Sequence, residues 1–189
     1  MQKYELVLVL NTQVQDSERK DLLSKFEEEF KANILKKDDI WLKESCYDIK
    51  GKRWNNRFYY VSYYLNLDNA SLQWVRKSLL YTNVVTRYEI FGMTQAQEFF
   101  EFEKIQKEIE EIINSRDDKR FGNKISFLSH EENSKYINWK AIPILKKYIT
   151  RFGSIKPRKY TKNSVNTQKH LRKELIRARG LGLLEFIKQ

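Results

Sequence analysis

Ten consecutive residues, Phe58 to Leu67, read Phe-Tyr-Tyr-Val-Ser-Tyr-Tyr-Leu-Asn-Leu. Side chains of this kind, at this density, fit a pleated and largely buried surface. The stretch is the strongest strand signal in the chain. Upstream, Tyr4, Leu6, Leu8 and Leu10 alternate with Glu5, Val7 and Val9, which reads as a buried strand. Asn11 to Gln15 is a polar break, and Asp16 or Ser17 is placed to cap a helix. Leu22, Leu23, Phe26 and Phe30 then recur at helical spacing, with Glu27 to Glu29 turned outward. Ile34 to Tyr47 is a second extended stretch, in which Cys46 reads as a small hydrophobe. Lys50-Gly51-Lys52 and Asn55-Asn56 mark a polar connection. After Leu67, Asp68 or Asn69 is placed to cap a second helix with the stripe Leu72, Val75 and Leu79, and Val84 to Phe91 forms a fourth strand.

The order is β-α-β-β-α-β within about 90 residues, the arrangement of the ferredoxin-like fold. Connection rules place four antiparallel strands in one sheet with both helices on one face. The other face is expected to stay open, and its share of the Phe58–Leu67 aromatics makes a bound partner the expected cover.

Charge divides the chain further. From Lys124 to Gln189 there are 16 basic and 4 acidic residues, a net of +12, whereas Met1 to Asn123 carries 20 basic and 21 acidic residues. The formal net charge of +11 therefore belongs to the C-terminal piece. A basic piece behind a near-neutral one points to two modules, one of them with a polyanionic partner.

Between them, Gln97 to Asn114 carries Phe99, Phe102, Ile105, Ile109, Ile112 and Ile113 at helix-compatible intervals. It reads either as a charged linker helix or as a docking segment that lays an apolar stripe on another surface. Ser115 to Asn123 is the expected hinge. In the basic piece, Leu145, Tyr148, Ile149 and Phe152 form one apolar stripe, with Pro143 in the first turn and Gly153 at the end. Lys156-Pro157-Arg158-Lys159 is an extended basic loop. Ser164 is placed to cap a helix running to about Gly180, with Leu171, Leu175 and Ala178 on one face. So few large apolar side chains in about 65 residues imply a thin core that leans on a partner.

Other functional classes lack support. One cysteine, Cys46, and two histidines, His130 and His170, give no disulfide framework and no zinc-ligand spacing. Asp117-Asp118 lies in the expected hinge, a poor place for a metal. The longest apolar run, Leu6 to Leu10, is too short to span a bilayer and is not followed by a signal-peptide pattern. Phosphate-loop, dinucleotide and hydrolase motifs are absent. No catalytic residue, metal, cofactor, membrane or small-molecule substrate is expected, and the chain reads as reduced, soluble and intracellular.

Two resemblances cover nearly all of the chain. From Tyr4 to about Gln95 it resembles the bacterial small-subunit ribosomal protein S-six family, through Tyr4-Glu5, the apolar strand ending at Asn11, Leu42-Lys43 and Tyr47-Asp48-Ile49. It departs from that family at Glu44, Ser45, Cys46 and Asp48. From about Ile125 it resembles the small-subunit ribosomal protein S-eighteen family more closely. The matching runs are Ile137-Asn138-Trp139-Lys140, Leu145 to Ile149, Gly153 to Arg158, Gln168 to Leu171, Ile176 to Arg179 and Leu183 to Phe186. Departures are Lys162, where that family tends to have Gly, Asn166, where it tends to have Lys, and Glu185, where it has Pro. The two families bind each other and sit together on the small-subunit platform, so this chain looks like their covalent fusion.

These resemblances divide the chain into a ferredoxin-like domain at 1–95, a partly helical connector at 96–123 and a basic helical domain at 124–189. They imply a non-enzymatic component of the small ribosomal subunit, in a bacterial cytoplasmic or an organellar ribosome, with small-subunit ribosomal RNA and neighbouring ribosomal proteins as partners. Lys156, Arg158, Lys159, Lys162, Lys169, Arg172, Lys173, Arg177 and Arg179 are the expected RNA contacts. Phe58, Tyr60, Tyr136 and Trp139 are the expected packing residues between the two halves. A rival reading is an RNA-recognition-motif-like regulator outside the ribosome. Phe58 to Tyr63 resembles that motif's aromatic strand, but the first strand lacks the partner aromatic.

Overall fold

The computed structural model describes residues 2–49, 56–80, 82–93, 98–115, 128 and 131–186. The chain divides into two units, Met1–Phe99 and Phe100–Gln189. Lys50 to Asn55, the expected hinge Ser115–Asn123 beyond Ser115, with its Asp117-Asp118 pair, and His130 lie outside the described residues.

In the first unit the elements are β1 (Gln2–Asn11), α1 (Asp16–Glu29), β2 (Ile34–Glu44), β3 (Arg57–Leu67), α2 (Asn69–Leu80) and β4 (Val85–Gly92). They form one sheet in the order β2-β3-β1-β4. Every pairing is antiparallel, with Leu6 opposite Tyr63 and Leu8 opposite both Val61 and Tyr88. This is the ferredoxin-like topology expected from the element order.

Strand alternation gives the sheet two different faces. Leu6, Leu8 and Leu10 of β1 and Val61, Tyr63 and Leu65 of β3 share one core with Phe26 of α1, Phe30 just after it, and Leu72, Val75 and Leu79 of α2. Burying one such side chain contributes about 1.5–3 kcal/mol. The Phe26 ring packs at a tilt against both Phe30 (centroids 4.9 Å apart) and Tyr63 (5.2 Å). At the rim, the Tyr63 hydroxyl donates to Glu27 Oε1 (2.8 Å) and Lys37 Nζ reaches the same oxygen (2.9 Å). Burial pushes the Glu27 carboxyl up, but the hydrogen bonds from Lys37 and Tyr63 outweigh it and hold the group below its ordinary value. Burial, then the Glu27 contact, raises the Tyr63 phenol.

The opposite face is not open. Phe58, Tyr60, Ser62 and Tyr64 of β3 are each at most 1% exposed. Phe99 packs on Tyr64 with ring centroids 4.5 Å apart, and the Arg87 guanidinium donates to the Tyr47 hydroxyl at 2.7 Å. Segments flanking the strands therefore return over the sheet. The buried Glu5 side chain accepts from Ser62 Oγ at 2.8 Å, so this polar group on the sheet face is hydrogen-bonded.

Several local expectations need correction. Neither Asp16 nor Ser17 caps α1: Gln15 occupies the cap position, while Asp16 ion-pairs with the buried Arg19. Arg19 also donates to the carbonyls of Asn11 (3.0 Å) and Val14 (3.1 Å). Asp68 does cap α2, accepting from Ser71 N at 3.1 Å. The second strand stops at Glu44, because Ser45 Oγ turns back to donate to the Tyr47 carbonyl (2.6 Å). Cys46 therefore falls after the strand and is exposed.

The second unit contains α3 (Phe102–Ser115), a 3-10 turn (Glu131–Tyr136), α4 (Ile142–Lys147), α5 (Arg158–Thr161) and α6 (Val165–Gly180). Phe102, Ile105 and Ile109 of α3 are buried, as are Leu145, Leu171 and Leu175. Gln106 Nε2 donates to the Lys140 carbonyl (2.6 Å), and Tyr136 donates its hydroxyl to Glu108 (3.1 Å). Thus α3 docks within the second unit instead of standing as a linker helix. It thickens the core that the basic sequence alone leaves thin.

The expected stripe Leu145–Phe152 is not one helix. After α4 the chain enters an isolated bridge between Ile149 and Ile155. Gly153, at φ 83°, belongs to the turn between them rather than to a helix end. β-Branched Ile149 and Thr150 suit this extended path better than a further helical turn.

Candidate nucleic-acid interface

The helix α6 presents the clearest division between packing and display. Its N-terminus is capped as expected, with Ser164 Oγ accepting from Thr167 N at 3.1 Å. Its C-terminus closes on Gly182, at φ 83°. There Gly182 N donates to the Arg179 carbonyl and Leu183 N to the Ala178 carbonyl, both at 3.0 Å. These two bonds satisfy terminal carbonyls in a Schellman motif. Leu171, Leu175 and Ala178 are fully buried, while Lys169, His170, Arg172 and Lys173 are exposed.

Not every expected RNA contact faces solvent. Arg179 is buried and donates to the Gly153 carbonyl, and burial lowers its pKa from the ordinary arginine value. Arg177 bonds to Glu174 Oε1 at 2.7 Å, with its side chain only 11% exposed. Lys156 Nζ donates to the Lys147 carbonyl at 2.7 Å, at the C-terminal end of α4. Arg158 is exposed but donates through Nε to the Asn163 carbonyl at 3.1 Å. Helical periodicity assigns residues to faces. It does not report which cations the protein uses for its own carbonyls.

The basic loop before α6 is held by a residue that the charge pattern does not single out. Gln168 Oε1 accepts from Thr161 Oγ1 (3.0 Å) and Asn163 Nδ2 (3.1 Å), and its Nε2 donates to the Lys156 carbonyl (2.9 Å). One side chain thus fixes both ends of the loop. The Gln168-Lys169-His170-Leu171 resemblance was the available signal, although it did not disclose the role. Lys159 projects from α5 and Lys162 from the residue that ends it, both exposed, so the stretch expected to be an extended loop turns helical at Arg158. Lys162 sits at φ 58°, a left-handed conformation that favours glycine, which explains the Gly usual in the family it resembles.

The four expected packing residues are all buried. Phe58 and Tyr60 lie in the sheet of the first unit, and Tyr136 and Trp139 in the second unit. Trp139 N donates to Glu174 Oε2 (3.1 Å), Lys140 N donates to Asn138 Oδ1 (3.0 Å), and Lys140 Nζ donates to the Phe100 carbonyl (2.9 Å). The Ile137–Lys140 run is therefore a hydrogen-bonded turn. The buried β3 rings do not form the exposed stacking platform that an RNA-recognition-motif reading requires. The Tyr59 ring, half-buried, carries the Arg19 guanidinium at 4.2 Å.

Among the described residues there is no group of three or more His, Cys, Asp or Glu side chains able to hold a metal ion. Among them, too, no helix is long and apolar enough to cross a membrane.

The chain is thus a two-module protein, a ferredoxin-like unit followed by a basic helical unit with one cationic helix face. The profile of the family "Ribosomal protein S18" matches residues 133–184, which contain all of α4, α5 and α6. The chain is 38% identical over 64 residues to small ribosomal subunit protein bS18 of Mycoplasma capricolum, covering 34% of this chain and 84% of that protein. It is 42% identical over 69 residues to bS18 of Chlamydia pneumoniae, covering 36% of this chain and 82% of that one. This chain belongs to the ribosomal protein S18 family. A crystal structure of 30S ribosomal protein S6 from Thermotoga maritima aligns with 59% of this chain and 97% of its own at 23% identity, with a TM-score of 0.43. The ferredoxin-like assignment rests on the strand order itself, not on that likeness.

Proposed function

We propose that this chain is a structural, non-enzymatic component of the small ribosomal subunit. Its second unit binds small-subunit ribosomal RNA, and its first unit is a scaffold of the S-six type. The observation that carries this reading is the exposed set Lys159, Lys162, Lys169, Arg172 and Lys173 on α5, its C-terminal cap and α6, in a chain of the ribosomal protein S18 family. Such cations neutralise phosphates and release counterions. The covalent link keeps both units at one place in the assembly, which raises the effective concentration of each there. The proposed location is the cytoplasmic ribosome of a bacterium, with neighbouring small-subunit proteins as further partners.

The test is binding of the intact chain to a small-subunit ribosomal RNA fragment across a salt series. Five phosphate contacts predict a log–log slope of about −3.5 to −4.5. A flat salt response, or no binding at low salt, contradicts the reading.

A further inference from the structure

Two rings stand out on the second unit. Phe152 is 63% exposed and Tyr160 is 73% exposed. Both sit on constrained backbone. Phe152 is in the Thr150–Ser154 turn, closed by Thr150 N to the Ser154 carbonyl (2.8 Å) and by Gly153 N to the Thr150 carbonyl (3.0 Å). The buried Arg179 guanidinium donates to the Gly153 carbonyl of the same turn. Tyr160 is on the single turn α5, whose Tyr160 N donates to the Pro157 carbonyl at 2.9 Å and whose flanks are tied down by Gln168.

Cations accompany both rings. The Arg151 guanidinium lies 4.6 Å from the Phe152 ring centroid, and exposed Lys159 and Lys162 flank Tyr160. An uncharged apolar partner would have to desolvate those cations, at a cost. A partner with flat π faces and regularly spaced negative charge satisfies both features. Unpaired nucleotides have that chemistry, whereas a paired duplex keeps its base faces stacked inside.

We infer that Phe152 and Tyr160 are stacking platforms for unpaired RNA bases, so that the second unit reads single-stranded nucleotides beside the backbone that its cations hold. This inference rests on the proposed RNA-binding function and specifies the form of RNA engaged.

The test uses the intact chain, an eight-nucleotide single-stranded oligoadenylate and an RNA duplex of equal length. Phe152→Leu and Tyr160→Leu retain apolar bulk, and unchanged thermal unfolding confirms the fold. Each variant is expected to lose about fivefold to a hundredfold in affinity for the single strand. Duplex affinity and salt slope stay within twofold of the wild-type values. The double charge variant Arg172→Gln, Lys173→Gln lowers affinity for both probes and so reports on the underlying reading separately. Unchanged single-strand affinity in both ring variants overturns the inference, as does an equal loss on both probes. If the ring variants bind RNA like wild type but lose a neighbouring small-subunit protein, the rings are a protein contact and the inference is wrong. Failure of the wild-type chain to bind either RNA overturns the proposed function, and this inference with it.

Discussion

The Glu174 carboxylate accepts the backbone N–H of Trp139 at 3.1 Å while its other oxygen holds Arg177 at 2.7 Å. An acidic residue on the most basic helix thereby joins that helix to the Ile137–Lys140 turn. Glu174 is 5% exposed, so its charge is stabilised by these donors rather than by water. Glu174→Ala is expected to destabilise the second unit by about 3 kcal/mol, and Glu174→Gln by less. Hydrogen exchange should show accelerated loss of protection at the Trp139 amide and along α6. Wild-type protection in the Ala variant would contradict this.

The cations of the basic unit should separate by role. Substituting Lys169, Arg172 and Lys173 together with Ala is expected to flatten the salt dependence of RNA binding by about three phosphate contacts and leave thermal unfolding unchanged. Arg179→Ala should do the reverse. It should cost about 1–3 kcal/mol of stability, because it removes a buried donor from the Gly153 carbonyl, and keep the salt slope of the remaining folded protein. Equal effects of the two sets on binding and stability would contradict the division.

Lys162 offers a stabilising change. Its φ of 58° suits glycine, and Lys162→Gly relieves that strain while adding some unfolded-chain entropy. The expected net gain is about 0.5–1 kcal/mol, read as a higher unfolding temperature. A lower unfolding temperature would show that the lysine side chain contributes more than its backbone costs.

Glu27, Lys37 and Tyr63 set a pH window for the first unit. The Tyr63 phenol and the Lys37 ammonium are both raised, so their contribution is complete below their ordinary values and is lost as pH rises toward the folded ones. The Glu27 carboxyl is lowered, so its contribution is present above its ordinary value of 4.5 and is lost as pH falls through the folded value. Burial also raises Tyr60 and Tyr64. Tyrosinate absorbance is therefore expected to show these three of the 11 tyrosines ionising only as the unit unfolds, well above pH 10. Titration of all of them near pH 10 with the sheet intact would contradict this.

Local pattern carried much of the fold. Alternation at Tyr4–Leu10 and aromatic density at Phe58–Leu67 mark β1 and β3, and the order of elements leads to the four-stranded sheet. What stayed hidden depends on groups distant in sequence. The cover over Tyr64 comes from Phe99, 35 residues away, and the docking of α3 depends on Gln106 meeting the Lys140 carbonyl, a separation of 34. In the basic unit, the charge pattern treats the cations of α6 alike, whereas the fold separates them into exposed and internally bonded ones. Arg179 turns inward because the Gly153 carbonyl lies there, and only the folded turn reveals that acceptor.

The most direct test of the central claim is sedimentation of cell extract through a sucrose gradient with the intact 22.9 kDa chain followed by immunodetection. The account predicts that the chain travels with small ribosomal subunits at low salt and is released as salt is raised. Its presence only in ribosome-free fractions, at every salt concentration, would contradict the account.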